Sequence, residues 1–240
     1  RLTKNLKHKN RILVGLLISY PVVSYILLLG GFGILPTVET YKLGGLMLTL
    51  IIAAVGIIIS FPIGILLALG RQSELSTVRF FSVMYIEFIR AVPLITILFM
   101  ASNVLPLFFD AGVTMDKLVR ALIAITLFQA AYMAEVVRGG LQAIPKGQYE
   151  AADAIGLSYY QKNILIVLPQ ALKISIPNIV GSSISLFKDT TLVLIIGLMD
   201  FLAVVTGAAA DKEWLGRHLE GYVFVAMVLW VMLYTMSRYS

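Results

Sequence analysis

Charged residues interrupt several long apolar runs of this sequence, and they are the first candidates for chemistry. Arg90 lies about ten residues into the run 80–105, so at ~1.5 Å per helical residue it sits roughly 15 Å along it. Glu87 precedes Arg90 by three residues, a spacing that puts both on one helical face and predicts an ion pair. Because a charge in a membrane is costly, the pair is either a structural tie or part of a solute path. Pro93 is expected to interrupt the helix and act as a hinge.

A second pair of charges, Lys188 and Asp189, separates the apolar runs 163–187 and 190–210. Small and polar residues lead up to it at helical spacing: Asn178, Gly181, Ser182, Ser185 and Asp189. Such a stripe either allows close helix packing or forms the wall of a wet path. If the helix breaks at this pair, freed backbone groups and both charges converge in mid-membrane. The alternative is that Lys188 and Asp189 only satisfy each other.

A polar segment, 138–162, stands between two apolar runs and has helix signals of its own. Residues 149–155 form a short amphipathic stretch of good helix formers. Gly156 is expected to end this helix in the left-handed conformation. Ser158 and Gln161 have the spacing of a capping box that opens the next helix. We therefore predict a short helix on the membrane surface with its polar side free.

The elements that must position these residues are transmembrane helices. Of all residues 59% are hydrophobic and 13% are charged, and the mean hydropathy of +0.92 far exceeds what a soluble core needs. Apolar runs fall at 12–31, 43–70, 80–105, 118–137, 163–187, 190–210 and 221–237. The run 190–210 forms either a full span or a re-entrant gate helix, because no loop separates it from the charged pair before it. We predict an all-α polytopic membrane protein with about six transmembrane helices and a surface helix.

The basic residues of the chain, whose formal net charge is +6, lie scattered at the ends of the apolar runs. They therefore indicate membrane topology rather than a nucleic-acid surface. Lys and Arg accumulate before residue 12, at Arg71 and Arg79, in 138–162 and at Arg238, which predicts that both termini are cytoplasmic. The chain has no cysteine and two isolated histidines, so no metal site is expected.

Motifs for ATP binding and for intramembrane catalysis are missing from the sequence. No G-x-x-x-x-G-K-[ST] loop occurs, so the chain is not expected to bind ATP in the P-loop manner. No G-x-S-x-G or H-E-x-x-H motif offers a nucleophile or a metal. The chain is therefore predicted not to be an enzyme, and its energy source is expected in another subunit.

The predicted surface helix carries the most specific motif. It reads EAADAIG from Glu150 to Gly156 and is followed by Leu168-Pro169. This resembles the cytoplasmic loop of the permease subunits of binding-protein-dependent ABC importers. The stretches YIEFIRAVPL, AEVVRGGL and SLFKDTTLV resemble the polar amino-acid branch of these permeases, and WLG and EGY near the C terminus are similar to its general L-amino-acid subgroup. The likeness extends over about residues 43–240.

The resemblance implies a division of the chain and the contacts with an ATPase, whereas the pathway residues are predicted from the charges within the apolar runs. Residues 1–42 form a basic cytoplasmic tail, an extra first transmembrane helix and a short periplasmic loop, and residues 43–240 form the permease domain. Lys188 would meet the carboxylate of an amino acid and Asp189 its ammonium group. The predicted substrate pathway comprises Lys188, Asp189, Thr190, Thr191, Ser185, Arg90 and Glu87. The predicted contacts with an ATPase are Glu150, Ala151, Ala152, Asp153 and Gly156.

The resemblance also implies an importer that moves amino acids across the bacterial inner membrane. A dimer of ATPase subunits would dock on the cytoplasmic loops and bind ATP and Mg, so that this chain needs no cofactor. A second permease chain, which we expect to differ from this one rather than to be an identical copy, would complete the pore. A periplasmic amino-acid-binding protein would deliver the substrate. Membrane lipid surrounds the chain, and nucleic acid is not an expected partner.

Three other classes of function stay open on the residues alone. A channel needs a selectivity filter and pore-lining symmetry. An ion-coupled secondary carrier is often built from inverted repeats, and none is visible here. A purely structural membrane subunit would tolerate Glu150→Arg without loss of ATP-linked uptake. The ATP dependence of uptake separates these classes from an importer.

Overall fold

The described part of the protein is built from helices. The structure is a computed structural model that describes residue 23, residues 40–110 and residues 115–238. Within these residues no β-ladder forms, and an isolated bridge joins Gly45 to Asp200. The principal helices are α1 (Gly45–Arg71), α2 (Ser76–Ala91), α3 (Leu94–Asn103), α4 (Lys117–Gln142), α5 (Lys146–Ala154), α6 (Tyr159–Ile196), α7 (Phe201–Ala209) and α8 (His218–Arg238). Short 3-10 turns lie at Thr40–Lys42, Leu105–Phe108 and Lys212–Trp214. The predicted all-α membrane fold is confirmed.

Four helices, α1, α4, α6 and α8, are long and apolar enough to cross a membrane. Helices α2 and α3 meet at 99° and supply a fifth crossing if they count as one broken span. The predicted span 12–31 and nearly all of the predicted segment 1–42 lie outside the described residues. The run 190–210 forms no crossing of its own, because its first seven residues extend α6 and α7 has only nine.

The bend between α2 and α3 lies at Pro93, where the sequence predicts a hinge. Proline has no N–H to donate and disfavours a helical conformation in the residue before it, so Val92 is extended at φ −103° and ψ 132°. The carbonyl of Pro93 accepts hydrogen bonds from the N–H groups of Thr96 and Ile97 as α3 begins. Arg90 is thereby left in the last turn of α2, next to the bend.

Helix α4 lies at the centre of the fold, and two glycines show how closely its neighbours approach. A Cβ atom on Gly64 of α1 would lie 2.7 Å from the Cβ atom of Met133 in α4. A Cβ atom on Gly140 of α4 would lie 2.1 Å from the Oγ atom of Ser175 in α6. Small residues at such crossings let transmembrane helices pack backbone against backbone. Helices α1 and α6 are therefore both held tightly against α4.

Helix α6 changes its winding along its length. It is α-helical over Tyr159–Gln161, π-helical over Lys162–Val167, α-helical over Leu168–Asp189 and 3-10 over Thr190–Ile196. The π-helical segment precedes Pro169, which cannot donate to a regular ladder, and the N–H of Leu168 donates to the carbonyl of Asn163. The helix does not break at Lys188 and Asp189. It tightens there and ends at Gly197, whose φ is +76°.

Candidate functional site

A cavity of about 600 Å³ lies between α2, α4 and α6. Its lining combines charged, polar and aromatic side chains: Arg90 from α2; Phe128, Gln129, Tyr132 and Glu135 from α4; and Asn178, Ser182, Ser185 and Asp189 from α6. A cavity of this size accommodates a small molecule. Ionisable groups inside spanning helices are costly and mark solute paths. The cavity is therefore the candidate site for a polar solute.

The stripe of small and polar residues predicted along α6 lies on this cavity. All five members line it: Asn178, Gly181, Ser182, Ser185 and Asp189. The hydroxyl of Ser185 donates to the carbonyl of Gly181 at 3.2 Å, the carbonyl four residues earlier. Asp189 is partly buried, where the α-helical part of α6 ends. Of the two interpretations that the sequence allows, close packing or a wet wall, the cavity favours the wall.

The structure separates Lys188 from Asp189. Lys188 is exposed and is not among the residues that line the cavity. Successive helical residues point about 100° apart, and here Asp189 is turned towards the cavity and Lys188 away from it. Thr190 is fully buried and donates its hydroxyl to the carbonyl of Phe187, and the hydroxyl of Thr191 donates to the carbonyl of Lys188. Neither threonine lines the cavity.

Glu135 of α4 contacts guanidinium groups from three helices. Its Oε1 accepts a hydrogen bond from Arg71 of α1 at 2.7 Å, and its Oε2 lies 2.8 Å from a guanidinium nitrogen of Arg138, one turn along α4. Arg90 of α2 approaches Oε2 at 3.7 Å and also lies over the ring of Tyr132, 5.7 Å from its centroid. The carboxylate is thus fully engaged, with Arg90 as its most distant partner.

The predicted ion pair between Glu87 and Arg90 is wrong. Glu87 contacts Arg71 at 2.8 Å, whereas Arg90 lies beside Glu135 because α2 packs against α4 on this side. Spacing along a sequence shows only neighbours on one helix, so it missed the partner on another. The available signal was a carboxylate inside the apolar run 118–137, where charge is costly. Glu87 does not line the cavity.

Gln129 is a buried polar residue of the cavity, and no motif in the sequence points to it. Its amide nitrogen donates to the hydroxyl of Ser182 at 2.9 Å and to the carbonyl of Ser182 at 3.3 Å. Only 3% of the residue is exposed. A buried amide needs such partners, so this contact ties α4 to α6 beside the solute site.

The predicted surface helix is present as α5. It begins after Pro145 and ends before Gly156, whose φ is +75° as expected of a left-handed C-terminal glycine. Ser158 and Gln161 form the predicted capping box at the start of α6, with both reciprocal hydrogen bonds present. These features follow from local sequence and confirm the predicted helix.

The residues expected to contact an ATPase do not all face outwards. Glu150, Ala151, Asp153 and Gly156 are exposed, whereas Ala152 is buried with 3% of its surface accessible. Because α5 rests on the rest of the chain through one side, only one alanine of the pair faces away from it. The exposed surface of α5 is therefore narrower than the motif predicts.

Helix α5 is tied to both of its neighbours. The hydroxyl of Tyr149 donates to the carbonyl of Leu141 in α4 at 3.3 Å, and burial raises the pKa of this hydroxyl against a smaller opposing effect of Lys162. The amide of Gln170 in α6 donates to the side-chain oxygen of Gln148 at 3.0 Å. The surface helix is thus attached to the two helices that form most of the cavity wall.

The family of this chain follows from a match to a known family profile. The profile described as "Binding-protein-dependent transport system inner membrane component" matches residues 60–239, which include the cavity lining and α5. The chain belongs to this family. The family makes it an inner membrane component of a transport system, as the resemblance in the sequence implies.

The names of curated relatives agree with this family assignment. It is 55% identical, over 99% of its length and 65% of the relative, to the inner membrane amino-acid ABC transporter permease YhdY of Escherichia coli K12. It is 53% identical, over 86% of its length and 48% of the relative, to the glutamate/glutamine/aspartate/asparagine transport system permease BztC of Rhodobacter capsulatus. The chain therefore spans about two thirds of the length of the E. coli K12 protein and about half of the length of the R. capsulatus protein. The glutamate/aspartate import permease GltK of E. coli O157:H7 is 33% identical over 80% of this chain and 86% of its own length.

A solved structure shares the fold. A chain of an amino acid ABC transporter crystallised with histidines superposes with a TM-score of 0.70 at 28% identity, covering 81% of this chain and 88% of its own. A chain of the MetNI methionine ABC transporter in an inward-facing conformation superposes with a TM-score of 0.60 at 20% identity, covering 80% of this chain and 88% of its own. The second likeness concerns the fold alone.

Proposed function

We propose that this family member is the permease subunit of an ABC importer that moves amino acids from periplasm to cytoplasm by alternating access. The observation that carries the proposal is the cavity between α2, α4 and α6, which brings Arg90 and Asp189 to one space between spanning helices. A free amino acid carries one carboxylate and one ammonium group, so a site with a cation and an acid suits this class. The names of the relatives support the same class of substrate.

Arg90 is the group that we assign to the substrate carboxylate. A guanidinium group presents a planar fork of N–H donors that fits a carboxylate. In the part of the chain that the structure describes, the side chain of Arg90 makes an ion pair at 3.7 Å and a ring contact but no hydrogen bond, and it is 35% exposed. Its donors are therefore available. Lys188, the sequence-based candidate for this role, lies off the cavity.

Asp189 is the group that we assign to the substrate ammonium. It lines the cavity on α6, a different helix from the α2 that carries Arg90, together with the hydroxyl of Ser185 and the amide of Asn178. Two charges on different helices can orient a zwitterion across the cavity. The rings of Phe128 and Tyr132 on α4 offer an apolar surface to the substrate side chain.

Partner subunits supply the energy in this proposal. A dimer of ATPase subunits holds ATP and Mg and docks against the exposed face of α5, where Glu150 offers a charge and Ala151 permits close approach. No cofactor is assigned to this chain. A second permease chain, different from this one, completes the pathway, and a periplasmic amino-acid-binding protein delivers the substrate. Both termini lie in the cytoplasm.

The attachment of α5 supports the transmission of movement from an ATPase subunit to the cavity. Three residues separate α4 from α5, and four separate α5 from α6. The hydrogen bonds of Tyr149 to Leu141 and of Gln170 to Gln148 add side-chain ties to both neighbours. A displacement of α5 by a partner is therefore transmitted to both helices that form the main cavity walls.

ATP-driven uptake into vesicles tests this function. The full-length chain is purified with its copurifying subunits, reconstituted, and supplied with tritiated L-glutamate or L-glutamine and the binding protein outside. We expect uptake only with ATP on the ATPase side, and loss of uptake with Glu150→Arg. Passive flux without ATP indicates a channel, and abolition by an ionophore with ATP intact indicates an ion-coupled carrier. Either result contradicts the proposal.

A further inference from the structure

Glu135 lines the same cavity as Arg90, yet the proposed binding of the substrate carboxylate by Arg90 does not require Glu135. A carboxylate beside the residue that receives the substrate carboxylate repels the substrate. Glu135 is also only 16% exposed in its side chain, so its charge is costly to keep within a spanning helix. A site selected for affinity alone would not hold this group. Its contacts indicate what it does.

The contacts of Glu135 fall into two strengths. Arg71 and Arg138 lie 2.7 and 2.8 Å from its two carboxylate oxygens. Arg90 lies 3.7 Å away, beyond hydrogen-bonding distance. Breaking a buried ion pair is costly when it leaves an unpaired charge. Here Arg90 can turn away while Arg71 and Arg138 keep Glu135 paired, so that cost is avoided.

Arg90 itself is lightly held. It has the distant contact with Glu135 and the ring of Tyr132 beneath it, and no hydrogen bond among the described residues. The cluster joins three guanidinium groups to two carboxylates, those of Glu135 and Glu87, and so has one positive charge in excess. A substrate carboxylate neutralises this excess. Arg90 is the member of the cluster that is both near the cavity and free to move.

We infer that Glu135 competes with the substrate carboxylate for Arg90 and so keeps the hold of the cavity on the amino acid loose enough for release. In the empty cavity Arg90 leans towards Glu135, and in the loaded cavity it turns to the substrate. Its return to Glu135 helps to displace the substrate. The inference rests on the proposed function, in which Arg90 receives the carboxylate. It makes Glu135 a residue that lowers the affinity of the cavity and thereby promotes release.

The test is equilibrium binding of tritiated L-glutamate and tritiated L-glutamine, measured separately, to the purified full-length transport complex without its binding protein. Glu135→Gln keeps the shape and removes the charge. Because the variant removes the anion that competes for Arg90, binding is expected to tighten about tenfold, while ATP-driven turnover falls. Glu135→Asp keeps the charge but withdraws it from Arg90. It is expected to tighten binding less, and it tests the inference if the glutamine variant does not assemble.

Glu87→Gln is the matched control. It removes a carboxylate from the same cluster, but Glu87 contacts Arg71 and neither contacts Arg90 nor lines the cavity. Binding is expected to change by less than about twofold, as for a partly exposed pair. In an Arg90→Gln background, Glu135→Gln is expected to leave binding unchanged, because its effect acts through Arg90.

The outcomes separate the inference from the proposed function. If Arg90→Gln weakens binding but Glu135→Gln and Glu135→Asp weaken it too or leave it unaltered, the inference is overturned and the amino-acid site stands. Tightening that persists in the Arg90→Gln background also overturns the inference. If the wild-type complex binds neither probe, or if Arg90→Gln binds as the wild type does, the proposed site itself fails.

Discussion

The ammonium group of Lys162 donates hydrogen bonds to both carboxylate oxygens of Asp153, at 2.7 and 3.0 Å. Asp153 belongs to the last turns of α5, and Lys162 is the first residue of the π-helical segment of α6. The pair therefore joins the proposed ATPase-contacting helix to the helix that carries Asp189. Lys162 is mostly buried, with 16% of its side chain exposed.

Loss of this pair is expected to impair coupling more than binding. Asp153→Asn removes one charge from the exposed partner of the pair and keeps a hydrogen-bond acceptor for Lys162, so the loss of stability is expected to be about 1 kcal/mol and the complex is expected to assemble. ATP-driven uptake is expected to fall severalfold while L-glutamate or L-glutamine binding is retained, because α5 is less firmly attached to α6. Uptake and binding are measured on the same preparation. The reversed pair, Asp153→Lys with Lys162→Asp, is expected to recover uptake, and wild-type uptake by Asp153→Asn would contradict this role.

Gly156 is expected to be required for its backbone conformation alone. It has φ +75°, and an added Cβ atom would meet nothing within 4 Å, so the strain of Gly156→Ala is conformational. That strain is about 1 kcal/mol and is expected to lower the thermal midpoint of the purified complex. Gly147→Ala is the control, because Gly147 is equally open but lies inside α5 without a positive φ. Alanine there favours the helix by about 1 kcal/mol, so the two variants are expected to shift the midpoint in opposite directions.

Gly140 is expected to be intolerant of a side chain. A Cβ atom there would lie 2.1 Å from the Oγ atom of Ser175 and 2.5 Å from the carbonyl oxygen of Ala171, and the backbone carbonyl cannot rotate away. Gly140→Ala is expected to destabilise the chain by about 2 kcal/mol through overpacking. Gly139→Ala, one residue earlier, meets nothing within 4 Å and is expected to raise the thermal midpoint slightly, since alanine favours a helix over glycine. Equal midpoints for the two variants would mean that α4 and α6 are less closely packed than the structure shows.

Features determined by neighbouring residues were predictable. The surface helix, its left-handed glycine at Gly156 and the capping box of Ser158 and Gln161 depend on the few residues around them, and all are present. The bend at Pro93 has the same origin, because a proline restricts its own backbone and that of the residue before it. The spanning helices followed from the length and apolarity of the runs.

Features that depend on which helices meet were not predictable. Arg90 has Glu87 as its neighbour in sequence but lies beside Glu135 from another helix. Lys188 and Asp189 are adjacent in sequence, but only Asp189 lines the cavity, because the rotation of α6 is set by its packing on α4. The stripe along α6 indicated a polar face, but only the structure shows that Arg90 of α2 and polar residues of α4 line the same cavity.

The central claim is that Arg90 holds the carboxylate of an amino acid in this cavity. Competition of L-glutamine and of its α-amide, which has no carboxylate charge, against tritiated L-glutamine on the purified complex tests it most directly. The wild type is expected to prefer the carboxylate about tenfold or more, since a charge-assisted bond is worth about 1.5 to 3 kcal/mol. Arg90→Gln is expected to lose this preference and Lys188→Gln to keep it. Loss of the preference with Lys188→Gln, and its retention with Arg90→Gln, would contradict the claim.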